Sequence, residues 1–570
     1  MKTIWGEKLD ISSILTEYPR PQMVRESYIN LNGIWSYAIT ESENPPDSFD
    51  GEIMVPFSPE CELSGVMRKL SPEQTLWYQR KLQLPPNFNV GRVLLHFGAV
   101  DQIATVYVNE TEACKHIGGY TPFSVDITPY LREENLILVK VRDFSDTSYH
   151  SRGKQKSKRG GIWYTAQSGI WQTVWLESVP KEYISALRIT PLFDEKALEI
   201  TVLSENSHSC CATAGDKRIT FTSNKPAKLK MQSFIPWTPE NPHLYDLKVT
   251  MGEDCVNSYF GMRKFSVEPD DDGVKRLFLN NKPYFHNGLL DQGYYSDGMY
   301  TAPSDDAMIF DIQTAKDMGF NMLRKHIKIE PLRWYYHCDR IGMLVWQDMI
   351  NGGGDYRLGT VSSPLVTGIH FKDNHYKWFA REEADGRAQY YKELDEMICH
   401  LYNCVSIAMW VPFNEGWGQF DAKEAVRRIK ELDTTRTIDH ASGWHDQYIG
   451  DFKSLHVYFK KYRFRRDKLG RAVILSEFGG YNFRVKGHSF NEEDFGYKKF
   501  ESAEEILTAY KDLYEKEIFP AMKQGLCAAV YTQLTDVEDE LNGLITYDRK
   551  VLKLPVDKVR QINACFMNLP

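Results

Sequence analysis

The sequence predicts a multidomain β and α/β protein, with two β-sandwiches followed by a C-terminal (β/α)8 barrel. Three observations carry that prediction. The chain has 570 residues, too many for one hydrophobic core and suited to three or four domains. Up to about residue 265 it reads as short apolar strands separated by turn residues, with no long helical stripe between them. From about residue 274 the pattern changes to alternating strand and helix.

The first region, residues 1–180, contains strand-like runs such as Gly91–Gly98, Ile103–Val108, Leu136–Val141 and Thr173–Glu177. A β-sandwich is the natural fold for such a series. The second, 181–267, carries Leu187–Thr190, Leu198–Leu203 and Leu244–Val249. At about 85 residues it suits a small immunoglobulin-like sandwich. Pro180 and the acidic stretch Glu268–Gly273, read as loops, mark the boundaries.

The third region, 268–570, has the alternation of a barrel. Ser304 is placed to cap a helix carrying Met308, Ile309, Ile312, Ala315 and Met318. Leu394, Met397, Ile398 and Leu401 line a second helix, and Ser502 with Glu505 forms a capping box ahead of a third. Strands are expected at Tyr284–Asn287, Phe320–Leu323, Ile341–Trp346, Thr437–His440, Ser454–Tyr458 and Cys527–Tyr531. Two more lead into Glu415 and Glu477. That makes about eight βα units in about 300 residues, the size of a (β/α)8 barrel.

Composition narrows the function. Hydrophobic residues make up 42% and charged residues 26%, as in an ordinary soluble protein. A net charge of -8 with no polybasic face argues against nucleic acid or an anionic membrane as the main partner. The N-terminus lacks the apolar stretch of a signal peptide, and no run is long enough to span a membrane. The ten cysteines form no CxxC pairs and read as free thiols, so a cytoplasmic location is expected. Thirteen Trp, 32 Tyr and 29 Phe suit β-rich cores and clefts in which a ring stacks on a sugar.

Two glutamates stand out. Glu415 follows the apolar run Val405–Phe413, and Glu477 follows Ala472–Leu475. A carboxylate beside a buried apolar run is costly unless it has partners or a task. By strand count Glu415 ends strand four and Glu477 strand seven, where barrel enzymes place their catalytic groups. Glycoside hydrolysis needs such a pair, and facing strand ends would set the carboxyls at the retaining separation of about 5–5.5 Å. Glu415 is then the acid/base, with a raised pKa, and Glu477 the nucleophile, held charged by hydrogen bonds. Asn414 would hold the sugar's 2-hydroxyl.

Five motifs in order resemble glycoside hydrolase family 2, over nearly the whole chain. Gly118–Thr128 and Ser168–Glu177 resemble its N-terminal sugar-binding jelly-roll sandwich. Trp237–Tyr245 with Phe260–Arg263 resembles the end of its middle sandwich. Trp410–Glu415 and Ser476–Gly480 resemble its acid/base and nucleophile signatures. The resemblance implies a retaining, exo-acting β-glycosidase without a redox cofactor, acting on a small glycoside or oligosaccharide. It also implies that Arg324 hydrogen-bonds the nucleophile.

Further candidates follow from position at strand ends. Asp291 and Gln292 follow strand one, and His326 lies beside Arg324. Trp346 and Asp348 end strand three; Trp346 either contacts sugar or simply packs. His456 and Tyr458 end strand six, with Tyr458 placed to position the nucleophile. Tyr531 through Glu540 ends strand eight, where Asp536, Glu538 and Asp539 read equally as solvated or functional. The basic run Arg152–Arg159 reads first as a solvated loop, although it could reach an acidic substrate.

The sugar is left open. The Asn-His-Glu motif of many β-galactosidases is missing after strand one, where Leu289–Gly293 stands. The Asn-x-Lys pair of β-glucuronidases is not found near strand eight; Asn280–Lys282 has those letters but reads as a hairpin turn. Trp346–Asp348 is reminiscent of β-mannosidases. β-Galactosides are ranked first because that specificity is common in the family, then β-glucuronides or β-galacturonides, then β-mannosides. A basic side chain near the sugar's C6 would favour a uronide, with Arg484 and Lys486 the first places to look. A non-catalytic carbohydrate-binding protein is the reading from another class. No HExxH or compact His/Asp cluster calls for a catalytic metal. An accessory Mg²⁺ or Na⁺ and a homo-oligomer stay open.

Overall fold

Along Asn135–Arg142 buried and half-buried residues alternate strictly, as in a strand with one face on a core. That strand lies inside a six-stranded sheet, pairing antiparallel with Thr75–Leu82 and Ile103–Val108. A four-stranded sheet containing Val174–Val179 and Arg92–Phe97 stands opposite. Trp35, Tyr78, Leu95, Phe97 and Val139 share the core of this first sandwich. The computed structural model describes residues 1–565.

The second sandwich is smaller. A three-stranded sheet (Ala186–Leu192, Ala197–Leu203, Ala227–Lys230) faces a four-stranded one containing Tyr245–Met251 and Asp254–Phe260. Ile189, Ile200, Val249 and Phe260 are buried in its core. The hairpin Phe265–Pro269 and Lys275–Leu279 then enters the barrel, its first strand running through the position where the sequence places the boundary. Asn280 and Asn281 form the next turn with φ of 53° and 65°. Asparagine tolerates that left-handed conformation, so Asn280–Lys282 is a hairpin turn, as expected.

Eight parallel strands make the barrel. In chain order they are His286–Asp291, Met322–Lys325, Leu344–Asp348, Ile407–Val411, Thr437–Ile438, Phe452–Val457, Ala472–Gly479 and Leu526–Thr532. The hydrogen-bonded ladder runs five-four-three-two-one-eight-seven-six, leaving strands five and six unpaired. Helices follow the strands. Ser304 caps Asp305–Asp317 by accepting from Ala307 N, and Ser502 caps Ala503–Leu513 by accepting from Glu505 N. Leu394, Met397, Ile398 and Leu401 are buried on Ala384–Leu401.

Side-chain parity divides the barrel into an inside and an outside. Leu290, Met322, Trp346, Val411 and Ile474 pack in one cluster, together with Phe265 and Leu277 of the entering hairpin. Leu289, Leu323, Val345, Leu475 and Tyr531 pack in another, against the helices. Each strand therefore sends alternate residues to the lumen, and the upper lumen is where polar side chains meet.

Candidate active site

Glu415 lies just past barrel strand four. Its backbone N–H donates to Ser442 O at 2.9 Å, and its φ is 51°. A left-handed glutamate costs about 1–3 kcal/mol, and such strain concentrates at functional sites. His456 Nδ1 lies 2.7 Å from Glu415 Oε1, and the Trp417 indole N–H donates to Oε2 at 3.2 Å. Burial pushes the Glu415 pKa up. The His456 hydrogen bond and charge, the Lys154 charge and the Trp417 N–H outweigh burial, so the carboxyl sits below its ordinary value. The expectation of a raised pKa is therefore corrected for the unliganded site, because His456 faces the carboxyl from strand six.

Glu477 lies near the end of strand seven. The pairing of strands six and seven shifts register between Leu455 and His456, so His456 comes opposite Glu477. This irregularity lets both Ser476 and Glu477 reach lumen groups. Ser476 Oγ is 2.6 Å from Ser454 Oγ. Glu477 Oε1 accepts from Arg324 Nη1 at 3.0 Å, and Oε2 accepts from the Tyr458 hydroxyl. His456 Nε2 is 3.6 Å from Glu477 Oε1, so one imidazole stands between both glutamates.

Arg324 is the hub. Fully buried on strand two, it reaches both Asp348 oxygens at 3.0 Å, Glu477, and Asn414 Oδ1 at 2.8 Å. A planar guanidinium suits such a fan of acceptors. His326 Nδ1 lies 2.7 Å from Asp348 Oδ2. Burial, then the charge of Lys154, holds His326 well below the usual imidazole range, with Arg324 and His456 acting the same way. Gln292 donates to Gln533 (2.9 Å), which donates to Asn542 (2.7 Å), which donates to Glu540 (3.0 Å). Strand one thus connects to the loop after strand eight.

The structure gathers Glu415, Glu477, Asn414, Arg324, His326, Asp348, His456 and Tyr458, with Gln292 at the edge. Three candidates lie elsewhere. Asp291 has the opposite parity and bonds Lys325 Nζ at 2.7 Å outside the lumen. Trp346 faces the lumen below the site, in the apolar cluster, with its N–H on His286 Nδ1 at 2.9 Å. Tyr531 packs outward against Phe478 and Tyr510. The acids after strand eight are neither solvated nor free. Asp536 pairs with Lys553 at 2.7 Å, Asp539 with Arg159 at 2.6 Å, and Glu538 accepts from Thr165 N. Arg484 pairs with Glu492 at 2.9 Å, and Lys486 is exposed.

The largest correction concerns Arg152–Arg159. Arg152, Lys154 and Gln155 are buried, and the loop is sewn to the barrel by Arg152 N and Gly153 N donating to Asn351 O. Its continuation reaches strand eight's loop, where the Tyr164 hydroxyl donates to Glu540 Oε2. Sequence reasoning also missed Trp417, only two residues after Glu415. It missed Tyr497 too, whose ring stacks on Tyr458 at 3.8 Å and 9°. Gly480, with φ 69°, makes room for that ring: a Cβ there would meet Tyr497 at 2.2 Å. No local signal marks Tyr497, which lies in a polar loop 20 residues beyond Glu477.

Glu415, His456 and Glu477 present ligand-type atoms within 4.8 Å of one another, the group with metal-like spacing found among the described residues. Their atoms already face Arg324, Tyr458, Trp417 and one another, the contacts of an acid/base pair. Among the described residues no helix is long and apolar enough to cross a membrane, and the ten cysteines are unpaired.

Three models of one family match the chain in order. The sugar binding domain of glycosyl hydrolases family 2 matches residues 66–180, a second model of glycosyl hydrolases family 2 matches 193–263, and the family's TIM barrel domain matches 272–519. The chain belongs to glycoside hydrolase family 2. Among curated family members, it is 30% identical over 297 residues to a putative beta-glucuronidase of Formosa agariphila, covering 48% of this chain and 34% of that one. It is 25% identical over 505 residues to a beta-galactosidase of Thermoanaerobacter pseudethanolicus, covering 81% of this chain and 62% of that one. The chain thus spans less than two thirds of either relative. A beta-glucuronidase structure from an uncultured Clostridium superposes over 96% of this chain and 99% of its own, with a TM-score of 0.74 at 19% identity. That likeness is one of fold.

Proposed function

We propose that the chain is a retaining exo-β-glycosidase that removes a terminal β-linked sugar by double displacement. The observation that carries this reading is the close, unequal carboxyl pair. An oxygen of Glu415 and one of Glu477 lie within 4.8 Å of each other. That fits the roughly 5–5.5 Å spacing of retaining enzymes better than the roughly 6.5–9.5 Å that leaves room for water in inverting ones.

The unequal partners assign the roles. Glu477, fixed by Arg324 and Tyr458, attacks the anomeric carbon and becomes the covalently bound sugar's partner. Glu415 protonates the departing oxygen, then takes a proton from the water that releases the sugar. In the free site the hydrogen bond and charge of His456 help to hold the Glu415 carboxyl below its ordinary pKa. As the leaving oxygen gains charge, Glu415 delivers its proton to it. Asn414, fixed by Arg324, faces the sugar beside the pair and is placed to hold its 2-hydroxyl.

The leaving-group side has its own surface. Trp417, bonded to Glu415, packs edge-on against Trp163 at 5.1 Å and Tyr356 at 5.2 Å. Such rings suit the apolar face of an aglycone or second sugar. The test is turnover of a nitrophenyl β-glycoside panel with product stereochemistry followed by NMR. Release of the β-anomer first supports the reading; first release of the α-anomer, or full activity in Glu477→Gln, overturns it. The names of the relatives divide between galactose and glucuronic acid, so family membership leaves the C6 substituent open.

A further inference from the structure

One buried cation near the pair has no partner. Lys154 is 8% exposed, and its ammonium has no hydrogen bond or ion pair among the described residues. Its backbone is fixed, because Lys154 O accepts from Tyr164 N at 2.9 Å and the two preceding residues bond Asn351 O. Its charge acts on Glu415 from strand four, His326 from strand two and Glu540 from the loop after strand eight. Its backbone is thus held between Asn351, in the loop after strand three, and the Tyr164 segment that reaches Glu540 after strand eight, at the mouth of the lumen.

The other cations at this mouth are engaged. Arg324 is held by Asp348, Glu477 and Asn414. Arg159 is held by Asp539 and Lys553 by Asp536. Arg152 donates to the carbonyls of Gly353 and Gly354 and lies over the Tyr356 ring. An ammonium on a mostly buried side chain with its three donors unspent is equipped to receive an anion that arrives with the ligand. Glu540, an acid of this wall, is occupied by the Tyr164 hydroxyl and the Asn542 amide.

With the anomeric carbon at Glu477 and the leaving oxygen at Glu415, the ring hydroxyls are neutral, and C6 is the position that can carry an anion. We propose that Lys154, supplied by the first sandwich, is a specificity-determining residue that receives the C6 carboxylate of a terminal β-hexuronic acid. This rests on the glycosidase reading above and reverses the order in which the sequence alone ranks the sugars. A single ammonium beside Glu540 matches a singly charged carboxylate. A C6 phosphate, the other source of an anion there, calls for more donors than this wall offers.

The experiment compares kcat/KM on nitrophenyl β-glucuronide, β-galacturonide, β-galactoside and 6-phospho-β-galactoside for wild type, Lys154→Met, Lys154→Gln and Lys158→Ala. Lys158 is an exposed residue of the same loop. Wild type is expected to prefer a hexuronide. Removing the cation should cut the hexuronide-to-galactoside ratio by about 100-fold, mainly through KM, as loss of one partner of a desolvated charge pair does. Lys158→Ala should leave that ratio unchanged. Equal losses on charged and neutral sugars would overturn the proposal and leave Lys154 as a group that only tunes Glu415. Wild-type preference for the galactoside or the 6-phosphosugar would overturn it while the glycosidase reading stands. Absence of turnover on all four, with no uronate-induced thermal shift that depends on Lys154, would remove both. A circular dichroism melt of each variant separates loss of the contact from loss of the fold.

Discussion

Two buried charge clusters stand on neighbouring residues of barrel strand two, and they differ in what they leave unfinished. Lys325 points outward, where it meets Asp291 (2.7 Å) and Glu330 (2.8 Å) while its ammonium lies 4.2 Å from the Trp334 ring centre. Lys328 completes that cluster through Glu330 and the carbonyls of Gly293 and Tyr300. Every charge there has its counterpart. Arg324 points inward to Asp348 and Glu477, in a cluster that also holds Glu415, His456 and the unpartnered Lys154. Burial and ion pairing are common to both. What sets the lumen cluster apart is polar capacity left for a ligand.

The largest expected effect tests the lumen side. Glu477→Gln should lower turnover on every aryl β-glycoside by about 10³-fold or more, with little change in thermal midpoint. Lys325→Met tests the other side. It strands the buried Asp291 carboxylate and leaves Glu330 with Lys328 alone, which should destabilise the fold by about 3–5 kcal/mol, read in chemical denaturation, while the properly folded fraction keeps its kcat. If Lys325→Met instead abolished kcat without lowering stability, the division between the clusters would fail.

Smaller changes sharpen the picture. Tyr458→Phe removes the hydroxyl on Glu477 and should lower kcat by about 10–100-fold, the worth of a hydrogen bond to a charged group. Gly480→Ala forces a side chain into a left-handed φ and against Tyr497. It should cost about 1–3 kcal/mol and loosen the Tyr497–Tyr458 stack, seen as a fall in kcat smaller than that of Tyr458→Phe. His456→Ala removes the group that most lowers the Glu415 pKa and leaves burial, which raises it. The basic limb of the kcat/KM profile, where the acid loses its proton, should therefore move to higher pH. A shift to lower pH would show that His456 does not hold Glu415 down.

The same contrast explains what the sequence made legible. Glu415 and Glu477 were visible because each directly follows a long apolar strand, and strand count placed them correctly at four and seven. Arg324, Asn414, His456 and Tyr458 were within reach for the same reason. Asp291 failed on parity: a strand end offers two faces, and the observed strand His286–Asp291 runs past the expected Asn287, turning Asp291 outward. Tyr531 failed in the same way. Trp346 has the right face but the wrong height in the lumen. Lys154 and Tyr497 come from loops, whose paths depend on contacts hundreds of residues away in the first case and on a glycine's missing side chain in the second. Arg152–Arg159 reads as a solvated loop because charge runs ordinarily face water, and nothing local announces that its first half, Arg152–Gln155, is buried while Ser157 and Lys158 stay exposed.

The seam between that loop and the barrel bears on how the protein is made. Arg159 and Tyr164 reach Asp539 and Glu540 across 380 and 376 residues of chain. During synthesis the first sandwich can close its core long before those acids leave the ribosome, since domains fold as units from the N-terminus. The loop bearing Lys154 bonds the first sandwich through Gln155 and Ser157, but its barrel contacts begin only with strand three's loop and end with strand eight's. Long-range contacts of this kind form late because the chain must first be gathered. The proposed sugar pocket is therefore among the last parts of the molecule to take shape, and a nascent chain with a finished sandwich is still without one.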